Sequence, residues 1–476
     1  MNHWDAEEIG QDTIAAIATP VGCSGIGIVR ISGQRAVCIA DALFSPMAAC
    51  AARASESSVD RLPSHFLKHG YIRDPGNQRI VDEVLLVVMR HPHSYTCEDV
   101  VEIQSHSGPV VLNKLIKLVL AQGARLAEAG EFTRRAFLNG RIDLSQAEAV
   151  EEMISAKSEE ALSFAADNLS GAVKEKIMSL IEVLGAHQAE IEAAHEFPDE
   201  VQGSLEWTQT IESIRERAVR PVEQMLMQYE ENHLLWDGIR LGIAGTPNVG
   251  KSSLLNAMIL KDKAIVTPIP GTTRDPIEAH MIIDGLPICI TDTAGLRESQ
   301  DLVEIIGIEK TLQQLGQSDI VLFVVDAERP FSDADLAAFE QLEKRQRIIV
   351  VNKIDRIAAL QALPVPPPYN QHPVAYVSAK YGHGISGLKD TVVKYAIGKG
   401  GLEPGRGVVP NLRQKLILES VLDRLKRSCQ GLEEGLGTEL IVSDLARAKE
   451  RLGEITGHSN RMDVMDEIFS RFCIGK

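Results

Sequence analysis

Lys251 and Ser252 close the run GTPNVGKS at residues 245–252, which fits the pattern GxxxxGK[ST]. An apolar, strand-like run, IRLGIA, precedes it and a helical stretch, SSLLNAMIL, follows. A loop so placed aims backbone N–H groups and a helix N-terminus at phosphate. Lys251 adds positive charge at the β- and γ-phosphates, and the Ser252 hydroxyl is a ligand for Mg²⁺. Asn248, Val249, Gly250 and Ser253 complete the phosphate-facing set. A chance glycine-rich turn is the bland alternative, and the strand and helix on either side weigh against it.

The base is read by a second signal. NKID at 352–355 follows the strand-like run RIIVV, and there it resembles the base-reading element of GTPases. Asp355 would accept two hydrogen bonds from guanine N1 and N2, which adenine cannot supply; Asn352 and Lys353 belong to the same element. Ser378, Ala379 and Lys380, after VAYV, resemble the third base-contacting loop. Between these lie GTTRD at 271–275 and DTAG at 292–295, which resemble the two segments that sense a γ-phosphate. Thr273 would be the second protein ligand of Mg²⁺. Asp292 ends a strand and would reach a metal-bound water, with Thr293 and Ala294 beside it, and Gly295 lets a backbone N–H approach the γ-phosphate. Leu296 stands where many small GTPases carry the glutamine that orients attacking water. Leucine cannot hydrogen-bond water, so hydrolysis needs another group.

These residues need a scaffold. From 239 to 396, strand-like runs (IRLGIAG, PICITDTAG, DIVLFVVDA, RIIVVNKID, VAYVSAK) alternate with helical segments, which is the signature of a parallel sheet wound with helices. Residues 12–140 mix short strands (IGIVRIS, VDEVLLVVM, VVEIQSH) with a helical stretch at 108–123, an α+β pattern. From 144 to 235 the chain is rich in Ala, Glu and Leu at helical spacing and predicts three or four long packed helices; 411–453 is helical again. The expected fold is multidomain α/β plus α. An N-terminal α+β domain (1–140) precedes a helical domain in two parts (141–235 and 399–476), with the P-loop GTPase domain (236–398) inserted between them.

Composition narrows the class. At 476 residues the chain is long enough for about three domains, and 44% hydrophobic with 24% charged residues is ordinary for a folded protein. A net charge of −17 argues against a surface that binds nucleic acid by general phosphate neutralisation, so any RNA contact is local. Seven scattered cysteines without a CxxC pair suit a reducing compartment. The start MNHWDAEEIG lacks a basic, apolar leader, and no apolar run approaches the roughly 18 residues of a membrane span. The expectation is a cytoplasmic protein with no membrane role.

Taken together, GTPNVGKSS, TPIPGTTRD, DTAGLRE, NKID and VSAK resemble the TrmE–Era–EngA group of GTPases. GEFTRRAFLNGRIDLSQAEAV at 130–150 and the terminal FCIGK resemble, more narrowly, the MnmE (TrmE) family of tRNA-modification GTPases. The resemblance implies an N-terminal domain that dimerises and binds a tetrahydrofolate derivative (5-formyl or 5,10-methylene). It implies a partner, the FAD-dependent GidA (MnmG), in a heterotetramer that installs an aminomethyl or carboxymethylaminomethyl group on the wobble uridine of certain tRNAs. Carried over by position, Arg30, Glu102, Arg141 and Lys476 would bind the folate. Cys97 and Ser107 stand where the family usually has glycine, and Arg141 where many members have lysine.

The same resemblance assigns K⁺ to Asn248, Thr267, Ile269 and Thr272, within a nucleotide-facing loop that also holds Pro268, Pro270, Gly271 and Thr273. The cation takes the place of an arginine finger, and hydrolysis then depends on contact between two G domains. Pro270 departs from the family pattern in that loop. Asn248 read by itself is a turn-former bracing its own backbone. Glu304 is expected to orient the attacking water, or else to cap the following helix. Cys473 is expected at the modification centre, or else as a small packing residue. A ribosome-assembly switch of the Era/EngA kind is the competing reading. It would call for an RNA-binding module such as a KH domain, and no GxxG loop in a suitable context follows the G domain.

Overall fold

The computed structural model describes residues 12–20, 22, 24–47, 58–196, 207–260, 278–283, 285–291, 318–329, 331–342, 346–357, 364–397, 408–458 and 462–476. The chain forms two compact units. One comprises 1–154, 168–219 and 420–476, and the other comprises 155–167 and 220–419.

The first unit holds a seven-stranded sheet of order β3-β4-β5-β6-β2-β1-β7. Its strands are β1 (Ile14–Ile17), β2 (Ser24–Ser32), β3 (Phe44–Pro46), β4 (Leu67–Arg73), β5 (Ile80–Met89), β6 (Val100–Ser107) and β7 (Arg125–Leu126). All neighbours pair antiparallel except β1 with β7. Strand side chains point alternately to the two faces. In β5 this buries Val84, Leu86 and Val88 with Val29, Ile31, Val101 and Ile103, under the helices Ala36–Leu43 and Pro109–Ala121. The opposite face carries Arg30, Glu102, Gln104, His106, Glu83 and Leu85, set by the registers Arg30↔Glu102 and Leu85↔Gln104.

The helical region is more finely divided than the composition predicts, and it contributes to both units. Among the described residues of 144–237, Leu144–Ser155, Ala172–Glu196 and Trp207–Ile214 fall in or almost wholly in the first unit and Arg220–Asp237 in the second, while Glu159–Ser170 crosses the limit between them. The first breaks are local. The Ser158 hydroxyl accepts the Ala161 N–H at 3.1 Å and starts a new helix, and Gly171, at φ +107°, separates the next two. Along Ala172–Glu196 the buried residues Val173, Ile177, Leu180, Leu184, His187 and Ile191 form one stripe, which packs on Thr438–Thr456.

The second unit is built on a six-stranded sheet of order β13-β12-β11-β8-β10-β9. Its strands are β8 (Ile239–Ala244), β9 (Glu278–Ile283), β10 (Leu286–Thr291), β11 (Ile320–Asp326), β12 (Gln346–Asn352) and β13 (Val374–Tyr376). It is parallel apart from the β9–β10 hairpin. The central strand β11 shows no alternation because both faces are covered. Leu322 and Val324 join one core, while Val321, Phe323 and Val325 join the other. Each such side chain stabilises the sheet by about 1.5–3 kcal/mol. The expected parallel sheet, helical segments and α+β unit are all present.

Candidate functional site

In open parallel sheets ligands bind outside the carboxyl ends of the strands, and three such ends meet here. β8 runs into residues 245–250, which turn directly into the helix Lys251–Leu260. Two glycines make that turn possible. Gly245 (φ +145°) and Gly250 (φ +97°) adopt backbone conformations hostile to side chains, and a Cβ would strike the Val324 carbonyl at the first and the Asn352 amide at the second. Asn248 is also left-handed, at φ +67°, a conformation that asparagine tolerates best among residues with side chains. The Lys251 ammonium donates to the Gly245 carbonyl at 2.9 Å and the Thr246 carbonyl at 3.0 Å, spanning the loop. Ser252 and Ser253 open the first helical turn, exposed.

The loops after β12 and β13 close on this turn. Asn352, 2% exposed, donates to the Val249 carbonyl at 2.9 Å and accepts from the Ala379 N–H at 3.0 Å, so one amide ties the phosphate loop to both base-side loops. Lys353 donates to the Asn248 carbonyl at 2.7 Å and pairs with Asp326 at 2.6 Å. Ser378 donates to Asp355 at 2.6 Å, and that hydrogen bond holds the exposed carboxyl below the usual carboxylate range. Asp355 is therefore an acceptor throughout the neutral range, as pairing with two guanine N–H groups requires. Lys380 lies over the Tyr381 ring at 5.1 Å. The donor set suits a guanine nucleotide: a glycine-lined turn, an ammonium, a helix start with hydroxyls for Mg²⁺, and an ionised carboxylate. Thr267, Pro268, Ile269, Pro270, Gly271, Thr272, Thr273, Asp292, Thr293, Ala294, Gly295 and Glu304 lie outside the described residues.

A second constellation forms in the first unit, where the C-terminal tail docks on the sheet. Ile474 bridges Ala129, Phe132 donates its N–H to the Lys476 carbonyl at 3.2 Å, and Arg30 donates to the Gly475 carbonyl at 3.3 Å. Gly475, at φ +96°, packs so closely that a Cβ would come within 2.6 Å of the Ile17 carbonyl. Arg30 also pairs with Glu102 at 2.8 Å, with both side chains largely buried. Its guanidinium lies 5.7 Å from the Tyr95 ring and 5.6 Å from the Phe132 ring. Arg141 donates to the Tyr95 carbonyl at 2.7 Å and stacks on that ring at 4.9 Å.

The structure thus brings Arg30, Glu102, Arg141 and the Lys476 backbone together around the half-buried Tyr95, while the Phe132 ring is fully buried in the core behind Arg30. Those two aromatics sit within SYTCED and GEFTRR, and sequence reasoning assigned them no role. A half-buried aromatic ring with flanking guanidinia and a carboxylate fits a flat, polar heterocycle with an anionic tail, which is the chemistry of a folate. Cys473 is exposed at the same tail.

The same unit holds a charge network centred on a buried arginine. Arg135, 1% exposed, reaches Asp12 at 2.6 Å, Glu131 at 3.0 Å and Glu98 at 3.1 Å, and Arg125 pairs with Asp12 and Glu131. Burial by itself raises the Asp12 and Glu131 carboxyls, and the guanidinia of Arg135 and Arg125 more than reverse it, leaving both below the usual range.

Comparison with known proteins bears on both sites. A family model described as GTP-binding protein TrmE N-terminus matches residues 13–141, and one described as the MnmE helical domain matches 144–473. The chain belongs to the MnmE (TrmE) family. The tRNA modification GTPase MnmE of Carboxydothermus hydrogenoformans is 42% identical over 473 residues, covering 98% of this chain and all of that one. The protein of the same description from Moorella thermoacetica is 42% identical over 477 residues, covering 98% and 99%. A solved structure of Aquifex aeolicus Era is 29% identical over 40% of this chain and 66% of that one, at a TM-score of 0.28, too low to carry an argument. As an MnmE-family member the chain is a GTP-hydrolysing enzyme with a P-loop GTPase domain and a helical domain. Among the described residues no helix is long and apolar enough to cross a membrane.

Proposed function

We propose that this chain is a cytoplasmic tRNA-modification GTPase. It acts with a GidA/MnmG-type FAD-dependent partner to form 5-aminomethyl or 5-carboxymethylaminomethyl uridine at the wobble position, U34. The observation that carries the reading is the seating of the FCIGK tail on Arg30 and Phe132 in a chain that also holds a P-loop, because a nucleotide switch alone has no use for that second constellation. Identity of 42% along the whole length with tRNA modification GTPases supports it.

Lys251 and the loop N–H groups bind the phosphates, Asn352, Asp355 and Ala379 select guanine, and Thr273 with Asp292–Gly295 senses the γ-phosphate. Ser252 and Thr273 would hold Mg²⁺, which would neutralise phosphate charge. Asn248, Thr267, Ile269 and Thr272 would hold K⁺, which would supply the positive charge that an arginine finger provides elsewhere. Glu304 orients the attacking water. In the other site Arg30, Glu102, Arg141 and Lys476 would hold a 5-formyl or 5,10-methylene tetrahydrofolate near Tyr95 and Cys473. The uncovered sheet face, where Ile26 is 61%, Leu67 56% and Leu85 39% exposed, supports a homodimer through the N-terminal domain. The domain limits that go with this reading are 1–140, 141–235, 236–398 and 399–476.

The direct test is reconstitution of the purified chain with a GidA/MnmG-type partner, unmodified tRNA, GTP and methylene-tetrahydrofolate. Modified U34 is expected by mass spectrometry with GTP and none with GDP. Complete absence of the product with every component active would overturn the reading.

A further inference from the structure

Behind the phosphate-binding loop lies a carboxylate that no sequence motif singles out. Asp335 is 3% exposed and sits in the first turn of the helix Asp333–Glu340. That helix is fixed from the far side by Phe339, whose ring packs on Phe323 at 5.2 Å and Tyr369 at 4.6 Å between centroids.

The two oxygens of Asp335 face different partners. Oδ2 accepts from the Ser332 N–H at 3.0 Å and the Ser332 hydroxyl at 2.8 Å, while the Asp335 N–H donates to Ser332 Oγ at 3.3 Å, forming a capping box. Oδ1 takes no part in that cap. It accepts from the Thr246 hydroxyl, in the phosphate-binding loop, at 2.8 Å. A hydroxyl-to-carboxylate bond is charge-assisted, about twice as strong as a neutral one, and here the acceptor is shielded from water. Thr246 in turn offers its own carbonyl, with that of Gly245, to the Lys251 ammonium. A continuous path therefore runs from an aromatic-anchored helix, through Asp335 and Thr246, to the residue that meets the phosphates.

We propose that Asp335 is a positioning residue for GTP hydrolysis, which acts through the Thr246 hydroxyl to fix the loop carbonyls that orient Lys251. The inference rests on the GTPase reading of the P-loop. A carboxylate that served only to cap its helix would leave hydrolysis indifferent to the Thr246 hydroxyl.

The test is steady-state GTP hydrolysis and thermal unfolding of the full chain in the parent, Thr246→Val, Thr246→Ser, Ser332→Ala, Asp335→Ala, the double variant Thr246→Val/Asp335→Ala, and Lys251→Ala. Valine keeps the shape of threonine and the helix cap but removes the donor. Its kcat/KM is expected to fall about tenfold, since misplacement by about 1 Å can cost up to 10²-fold, and its unfolding midpoint to drop as well, because the buried Asp335 Oδ1 loses its donor. Serine restores the donor and recovers the rate. Ser332→Ala breaks the cap, lowers the midpoint and keeps the parental kcat/KM. In the Asp335→Ala background the valine substitution has no further effect, as coupled residues require. Parental kcat/KM in Thr246→Val beside an inactive Lys251→Ala would overturn the proposal alone, and so would an undiminished valine effect in the Asp335→Ala background. A parent without GTP turnover would instead remove the GTPase reading, and the proposal with it.

Discussion

Single residues carry the nucleotide chemistry, and their effects separate cleanly. Lys251→Ala removes the ammonium that spans Gly245 and Thr246. GTP affinity should fall on the order of 100-fold, as when charge-assisted hydrogen bonds worth about 1.5–3 kcal/mol are lost; titration with a fluorescent GTP analogue checks it, and undiminished affinity would refute the site. Asp355 gives a pH prediction. Its carboxyl is held below the usual range by Ser378, so it stays ionised as pH falls toward the ordinary carboxylate range, and guanine selectivity should be flat from neutral pH to about pH 5. Loss of GTP-over-ATP preference already near pH 5 would contradict that. Cys97 is strained, at φ +58°, a conformation that glycine adopts without cost. Cys97→Gly should relieve about 1 kcal/mol and raise the unfolding midpoint. A lowered midpoint would show that the thiol contributes packing that outweighs the strain.

Between elements, what was readable in the sequence was what is local in the chain. The turn from β8 into the helix at Lys251 is contiguous, so its glycines, lysine and serine declare themselves by spacing. NKID was legible for the same reason. The tie between Thr246 and Asp335 spans 89 residues, and that between Arg30 and Gly475 spans 445, so neither leaves a local pattern. Tyr95 was invisible as a site residue because a half-buried aromatic leaves the same sequence signal whether it lines a ligand site or packs on a core. The helical region broke into shorter helices than its composition suggested because Ser158 and Gly171 act at single positions within an otherwise helical run.

The docking of the tail is itself an element-scale claim. Gly475→Ala places a Cβ against the Ile17 carbonyl in a backbone conformation that alanine resists, so the tail should lift from Arg30 and Phe132. Tetrahydrofolate binding, read by calorimetry, should weaken at least about tenfold, equivalent to about 1.4 kcal/mol, while GTP hydrolysis by the same preparation persists. Parental folate affinity would detach the tail from folate binding. The charge network in the same unit adds acid sensitivity. Asp12 and Glu131 have lowered folded-state values, so their stabilisation is complete above their unfolded pKa and disappears as pH falls through the folded one. The unfolding midpoint should drop as pH falls below the unfolded values near about 3.9–4.3, less steeply in Asp12→Asn. An identical acid profile in that variant would exclude Asp12 from the effect.

At the scale of the whole molecule, the family resemblance supplied what neither composition nor periodicity could: a partner, a wobble-uridine product and a monovalent cation. The structure contributes two separate constellations in one chain, a guanine-nucleotide cradle in one unit and an arginine-rich cluster against the docked tail in the other. The account's central claim is that both serve one modification. The decisive measurement is the fraction of modified wobble uridine, by mass spectrometry, in tRNA from cells lacking this chain and complemented with the parent, Lys251→Ala, Gly475→Ala or Cys473→Ser. The account predicts full modification with the parent and loss with all three variants, although purified Gly475→Ala and Cys473→Ser still hydrolyse GTP. Undiminished modification in cells that lack the chain, or in cells carrying Lys251→Ala, would contradict it.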